Sequence, residues 1–163
     1  DVAARMHLLV AEHRALFGFG APARPQRILH ATLCVLAGEQ SVQPASLVAD
    51  AVCEKSFDVS FDCALSFGSS SDDRHKLPHV LACSAESNPQ LHRLRNVLGE
   101  PLRQMGLLRR KHFVPHVTLL YDTVAAPKWM IEPIRWRVDR FALVHSHYGE
   151  TRHQVLHEWR LDA

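Results

Sequence analysis

Charge of one sign, long hydrophobic runs and redox motifs are what this chain has least of. Lys plus Arg number 19 against 17 Asp plus Glu, a net +2 with His neutral. Net charge alone therefore gives no reason to expect a nucleic-acid surface. No apolar stretch approaches the roughly 20 residues that a bilayer-spanning helix needs, so no membrane partner is expected. The four cysteines, Cys34, Cys53, Cys63 and Cys83, show no C-x-x-C spacing, which excludes the common zinc and thioredoxin-like motifs. Three of them sit in apolar runs, where Cys acts as a small hydrophobe, and a reduced, cytoplasmic setting is expected. Threonine is scarce as well, four in 163 residues.

Half of those threonines fall in one repeated tetrapeptide, His30-Ala31-Thr32-Leu33 and His116-Val117-Thr118-Leu119. With 12 His and 21 Leu in the chain, shuffling the composition gives two His-x-Thr-Leu matches about once in a thousand trials, so the repeat is a signal. Each copy lies in an apolar run, residues 28–36 and 114–121, that reads as a buried strand. Residues two apart on a strand share a face, so His30 pairs with Thr32 and His116 with Thr118. Two imidazoles suit general acid-base chemistry, one accepting a proton while the other gives one. The threonines add short, rigid hydroxyl donors for the oxygens of an anion. A phosphodiester fits: attack by water needs a base, departure of the sugar oxygen needs an acid, and neither a metal nor another cofactor is required.

Around these motifs the chain interleaves helices and strands. A helix is expected over residues 1–17 with Asp1 as N-cap, then a loop from Gly18 to Gln26. The first signature strand ends at Gly38. A helix follows from Pro44 to about Lys55, and clean alternation over residues 56–67 predicts a strand with one wet face. After a loop at residues 68–73 and a short strand from His79 to Ser84, Asn88-Pro89 opens a helix that Gly106 ends near Met105, with a kink or split at Pro101. The second signature strand comes next. A strand over Arg135–Val144 with a slip near Arg140, a turn at Tyr148-Gly149 and a last strand from Arg152 to Leu161 complete the order. This pattern predicts one α+β domain over residues 1–163, with two related lobes placing the motifs across a cleft.

On the two tetrapeptides, with Val35-Leu36 and Gly38-Glu39 after the first and Phe113-Val114-Pro115 before the second, the sequence resembles the two-histidine (2H) phosphoesterase superfamily. It is most similar to the 2′-5′ RNA ligase-like, or RNA 2′,3′-cyclic phosphodiesterase, branch. The likeness extends over most of the chain in element order and in the closing segment from Trp136 to Leu161. It implies a bilobal, pseudo-twofold fold of two mainly antiparallel sheets with helices outside and both motifs facing a central cleft. It also implies hydrolysis of RNA 2′,3′-cyclic phosphate ends to 2′-phosphates, with 2′-5′ joining of RNA ends in some members. By the match, His30 and His116 are the catalytic acid and base, and Thr32 and Thr118 hold the phosphate. The relatives' opening strand is expected to be missing before Asp1. Cys34 and Tyr121 stand where relatives often carry a basic residue.

Other residues near the motifs could contact the substrate. Arg109-Arg110-Lys111-His112 leads into the second motif, and Arg24 and Arg27 precede the first. Arg27, Arg109 and Lys111 are therefore candidates for backbone contacts with RNA or a related cyclic nucleotide. Phe113 is a candidate to stack a base. Two rival readings have their own residues. His145, His147, His153 and His157 could form a metal-binding face on the final hairpin, and the same motifs could serve a non-catalytic protein that binds RNA ends. The expected working form is a monomer.

Overall fold

A computed structural model describes residues 1–68, 75–84, 86–109, 112–147 and 150–163. The chain divides into two compact units. The first comprises Asp1–Ala31, Ser60–Ser87 and Val114–Trp136, and the second Thr32–Val59, Asn88–Phe113 and Arg137–Ala163.

The first unit opens with helix α1, Val2–Phe17. Met6, Leu9, Val10 and His13 form its buried stripe, the three-and-four spacing that brings side chains onto one helix face. Asp1 Oδ1 accepts the Ala3 N–H at 3.0 Å, and Gly18, left-handed at φ 76, closes the far end. Strands β1 (Phe57–Ser66), β2 (Leu77–Ala82), β3 (His116–Asp122) and β4 (Trp129–Val138) form a sheet in the order β3-β2-β1-β4. Strand β2 runs antiparallel to both its neighbours and is buried almost end to end. With β1 it supplies Phe61, Ala64, Val80 and Leu81, all wholly buried. The register slips between His79 and Val80, which face Leu120 and Thr118, so Leu119 is the extra residue of a bulge in β3. Its carbonyl oxygen accepts the Arg24 N–H at 2.7 Å.

The second unit holds helices α2 (Val42–Asp50) and α3 (Pro89–Gln104) and the two-stranded sheet of β5 (Arg140–His147) and β6 (Arg152–Arg160). The buried face of α3 is Leu91, Leu94, Arg95, Leu98, Gly99 and Leu102. Gly106, at φ 71, ends it in a Schellman motif: the Gly106 N–H reaches Arg103 O at 3.0 Å and the Leu107 N–H reaches Leu102 O at 2.9 Å.

Four expectations are corrected. No continuous strand covers residues 28–36. Gln26–Ile28 is a 3₁₀ turn, and among the described residues isolated antiparallel bridges alone, Ala31 to Val117 and Leu36 to Leu108, engage the segment. It changes partner between them, so no ladder forms. Helix α2 starts earlier and stops at Asp50 rather than Lys55, because the next residues pair elsewhere: Glu54 O accepts the Asp162 N–H at 2.9 Å and Lys55 bridges Asp162. Of the kink or split expected at Pro101, the split does not occur, since α3 runs through it as one helix. The slip near Arg140 is a full break at Asp139, which separates β4 and β5 into different sheets. The turn at Tyr148-Gly149 and most of the loop after Gly68 lie outside the described residues.

Candidate active site

In the first unit, the bridge between Ala31 and Val117 brings the two signature segments side by side. Val117 is 2% exposed and turned into the core. Side chains alternate along extended backbone, so His30, His116 and Thr118 take the other face, away from that core. His30 is exposed, whereas His116 and Thr118 are half-buried.

Both imidazoles are held by the same local device. His30 Nδ1 lies 2.8 Å from Ile28 O, and His116 Nδ1 lies 2.7 Å from Val114 O. A carbonyl oxygen only accepts, so each Nδ1 carries the hydrogen and donates it. Each ring is thereby fixed in orientation and tautomer by the backbone two residues upstream, and its Nε2 becomes the proton-exchanging nitrogen. The Phe67 ring meets His116 edge-on at 4.9 Å. This pair of rings, each aimed by its own carbonyl, can give and take protons on one face.

The loop leading into His30 is anchored to β3 by contacts no motif announced. Asp122 Oδ2 accepts the Ala21 N–H at 2.8 Å and Oδ1 accepts the Val124 N–H at 3.0 Å. Burial works against ionising Asp122, but the backbone N–H groups of Val124, Ala21, Gly20 and Thr123 outweigh it and hold the carboxyl below its ordinary pKa. Arg24, beyond its backbone bond to Leu119, places its guanidinium 5.5 Å from the Tyr121 ring centroid, and its carbonyl oxygen is 2.8 Å from His7 Nε2. Ala21 and Arg24, in the loop expected after the first helix, thus fix the approach to the first motif.

The remaining candidates fall into separate places. Arg27 is exposed on the 3₁₀ turn of the first unit. Thr32 is half-buried and is the first residue of the second unit. Arg109, exposed in the second unit, donates its backbone N–H to Val35 O at 2.8 Å. Phe113, also in the second unit, packs edge-on against His92 at 5.2 Å and lies 5.9 Å from the Arg95 guanidinium. Lys111 lies outside the described residues. On the final hairpin, His145 and His147 stack at 4.6 Å with planes 5° apart, and Arg152 donates toward His147 Nδ1 at 3.4 Å. Among the described residues, no group of three or more His, Cys, Asp or Glu could hold a metal ion, and no helix is long and apolar enough to cross a membrane.

Comparison with known proteins adds the family context. The family model of the 2′-5′ RNA ligase superfamily matches residues 5–150. The fold is similar to E. coli LigT in its apo form, with a TM-score of 0.70 at 23% identity over 99% of this chain and 91% of that one. It is also similar to E. coli LigT complexed with 3′-AMP, at 0.67 and 24% identity over 99% and 94% of the two chains. TT0787 of Thermus thermophilus matches at 0.67 and 23% identity over 98% and 91%. No curated protein sequence matches significantly.

Proposed function

The chain belongs to the 2′-5′ RNA ligase superfamily, within the 2H phosphoesterases, and on that footing we propose that it hydrolyses RNA 2′,3′-cyclic phosphate ends to 2′-phosphates without a metal. The observation that carries the reading is the matched pair of imidazoles, His30 and His116, each locked through Nδ1 to a carbonyl two residues upstream. One Nε2 removes a proton from water as the water oxygen attacks phosphorus. The other, as imidazolium, gives its proton to the 3′-oxygen as the P–O3′ bond breaks, leaving the phosphate on the 2′-oxygen. Thr118, and Thr32 by its place in the other motif, donate hydroxyls to the non-bridging oxygens as negative charge builds there. With an RNA 5′-hydroxyl in place of water, the same two proton transfers form a 2′-5′ linkage.

In this reading Arg27, Arg109 and Lys111 bind RNA phosphates, Phe113 stacks a base and the enzyme works as a monomer. We assign it to the cytoplasm, in keeping with four cysteines that form no disulfide with one another. The binding of 3′-AMP by E. coli LigT supports a nucleotide-like substrate. The test is to incubate the protein with a short RNA ending in a 2′,3′-cyclic phosphate, with and without chelator, and to identify the end formed. A 2′-phosphate in both samples is expected. Binding without turnover would instead assign a non-catalytic RNA-end protein, and activity abolished by chelator would overturn the metal-free mechanism.

A further inference from the structure

Helix α3 buries a cation that forms no salt bridge among the described residues. Arg95 is 8% exposed, and its Nε, fully enclosed, has no hydrogen-bond partner among the described residues. Buried charges are ordinarily paired, since an unpaired one loses its hydration without compensation. The exposed arginines of the same helix do have partners. Arg93 pairs with Glu54 at 2.9 Å and Arg103 with Glu100 at 2.7 Å. Glu100, whose carboxyl feels the charge of Arg95, spends both its oxygens on Arg103 and Gln104. Burial raises the pKa of the neighbouring Cys34 thiol even though Arg95 acts the other way, so Cys34 stays neutral and is no counter-ion.

The surroundings are shaped around this guanidinium. It lies over Gly99, where a Cβ would come within 2.9 Å of its central carbon and 3.4 Å of Cys34 Sγ. Phe113 lies beside it, with the guanidinium carbon 5.9 Å from the ring centroid. One turn earlier on α3, His92 meets the same ring at 5.2 Å, and its Nε2 is a second buried nitrogen without a partner among the described residues. The aromatic ring is therefore flanked by two unsatisfied nitrogens, one of them permanently cationic. In sequence the cluster abuts both motifs: Phe113 is three residues before His116, and Cys34 is two after Thr32.

A fork of N–H donors bearing fixed charge suits a phosphate, and a ring beside it suits a base. We propose that Arg95, with His92 as second donor, binds the phosphodiester that precedes the terminal nucleotide, while Phe113 stacks a base of the same strand. This rests on the reading of the substrate as an RNA end, and it makes the enzyme discriminate between a strand and a single nucleoside 2′,3′-cyclic phosphate.

The test compares a short RNA ending in a cyclic phosphate with a nucleoside 2′,3′-cyclic phosphate, using wild type, Arg95→Gln and Arg95→Met. Losing a charge-assisted contact should raise KM for the RNA on the order of tenfold or more, well beyond any change for the nucleoside, with kcat affected less. The slope of log KM against log salt for the RNA should fall by about 0.7, one phosphate's share for a single strand. Arg95→Met should melt no lower than wild type, because it removes an unpaired buried charge. Equal losses on both substrates, or a lowered melting temperature with an unchanged salt slope, would make Arg95 structural and overturn the proposal. If wild type turns over neither substrate, the hydrolytic reading fails on its own. Affinity for an RNA carrying a 2′-phosphate end then decides the subsite: weaker binding by Arg95→Gln upholds it, and equal binding ends it.

Discussion

A histidine that donates Nδ1–H to a carbonyl oxygen has no freedom left in its choice of tautomer. His30 and His116 are both held so, at 2.8 and 2.7 Å, and the lock is built from main chain, which substitution elsewhere does not remove. In the neutral enzyme both rings should therefore show the Nδ1–H tautomer by ¹⁵N NMR, and an Nε2–H signal for either would contradict the geometry. Each ring carries one half of the proposed proton traffic. His30→Ala and His116→Ala should each lower kcat on the order of 10² or more, and the wild-type rate should be bell-shaped in pH. Full activity in either variant would remove the acid-base pair. Thr32→Ala and Thr118→Ala delete one hydroxyl apiece and should act mainly on KM. A loss in kcat as large as that of the histidine variants would give them a part in the chemistry.

At the scale of the element, α3 shows most directly what sets a boundary. Gly106 adopts φ 71 with open space around its missing Cβ, so Gly106→Ala should destabilise by about 1 kcal/mol through backbone strain alone. A urea midpoint that does not move would refute the strain. This helix end was legible in the sequence, as were the Asp1 cap and the alternation of β1, because each is local: a cap, a stop or a period of two is written in a few neighbouring residues. The first signature strand misread for the opposite reason. Apolar and β-branched residues at 28–36 are compatible with a strand, but whether one forms depends on partners distant in sequence, and residues 31 and 36 have different ones. The break at Asp139 is equally non-local, since β4 and β5 serve different sheets. Of the candidate site, the repeated tetrapeptides pointed to His30, His116 and Thr118, which the first unit places on one face. Arg95 escaped notice although a signal was there: a charge within the buried series Leu91, Leu94, Arg95, Leu98, Leu102. A charge on an apolar stripe is ordinarily a mismatch. Asp122 had no such signal, because its partners are backbone N–H groups brought in by the fold.

For the molecule as a whole, stability should depend on two histidines that have no part in the proposed chemistry. His13 and His79 are 3% and 0% exposed, with His13 Nδ1 2.9 Å from His79 Nε2 and Ser66 Oγ 3.4 Å from His79 Nδ1. One nitrogen of the His–His bond donates and the other accepts, an arrangement that two imidazolium rings cannot keep because both nitrogens would then carry hydrogen. Phe17 and Phe19 close around the pair, at 5.3 Å from His13 and 4.6 Å from His79. Burial, and then the charge of His13, hold the His79 pKa down to about 4. Burial also lowers that of His13, though Glu12 acts in the other direction. Below an ordinary histidine pKa of about 6.5, the unfolded chain takes up protons that the folded pair refuses. The contribution is thus whole above about pH 6.5 and is lost as pH falls toward 4, by an amount on the order of 3 kcal/mol. Urea midpoints measured from pH 7 to pH 4 should decline across that window. His79→Leu should flatten the decline while lowering stability at pH 7, where its hydrogen bonds are missing. An equally steep acid loss in the His79→Leu protein would place the titrating groups elsewhere.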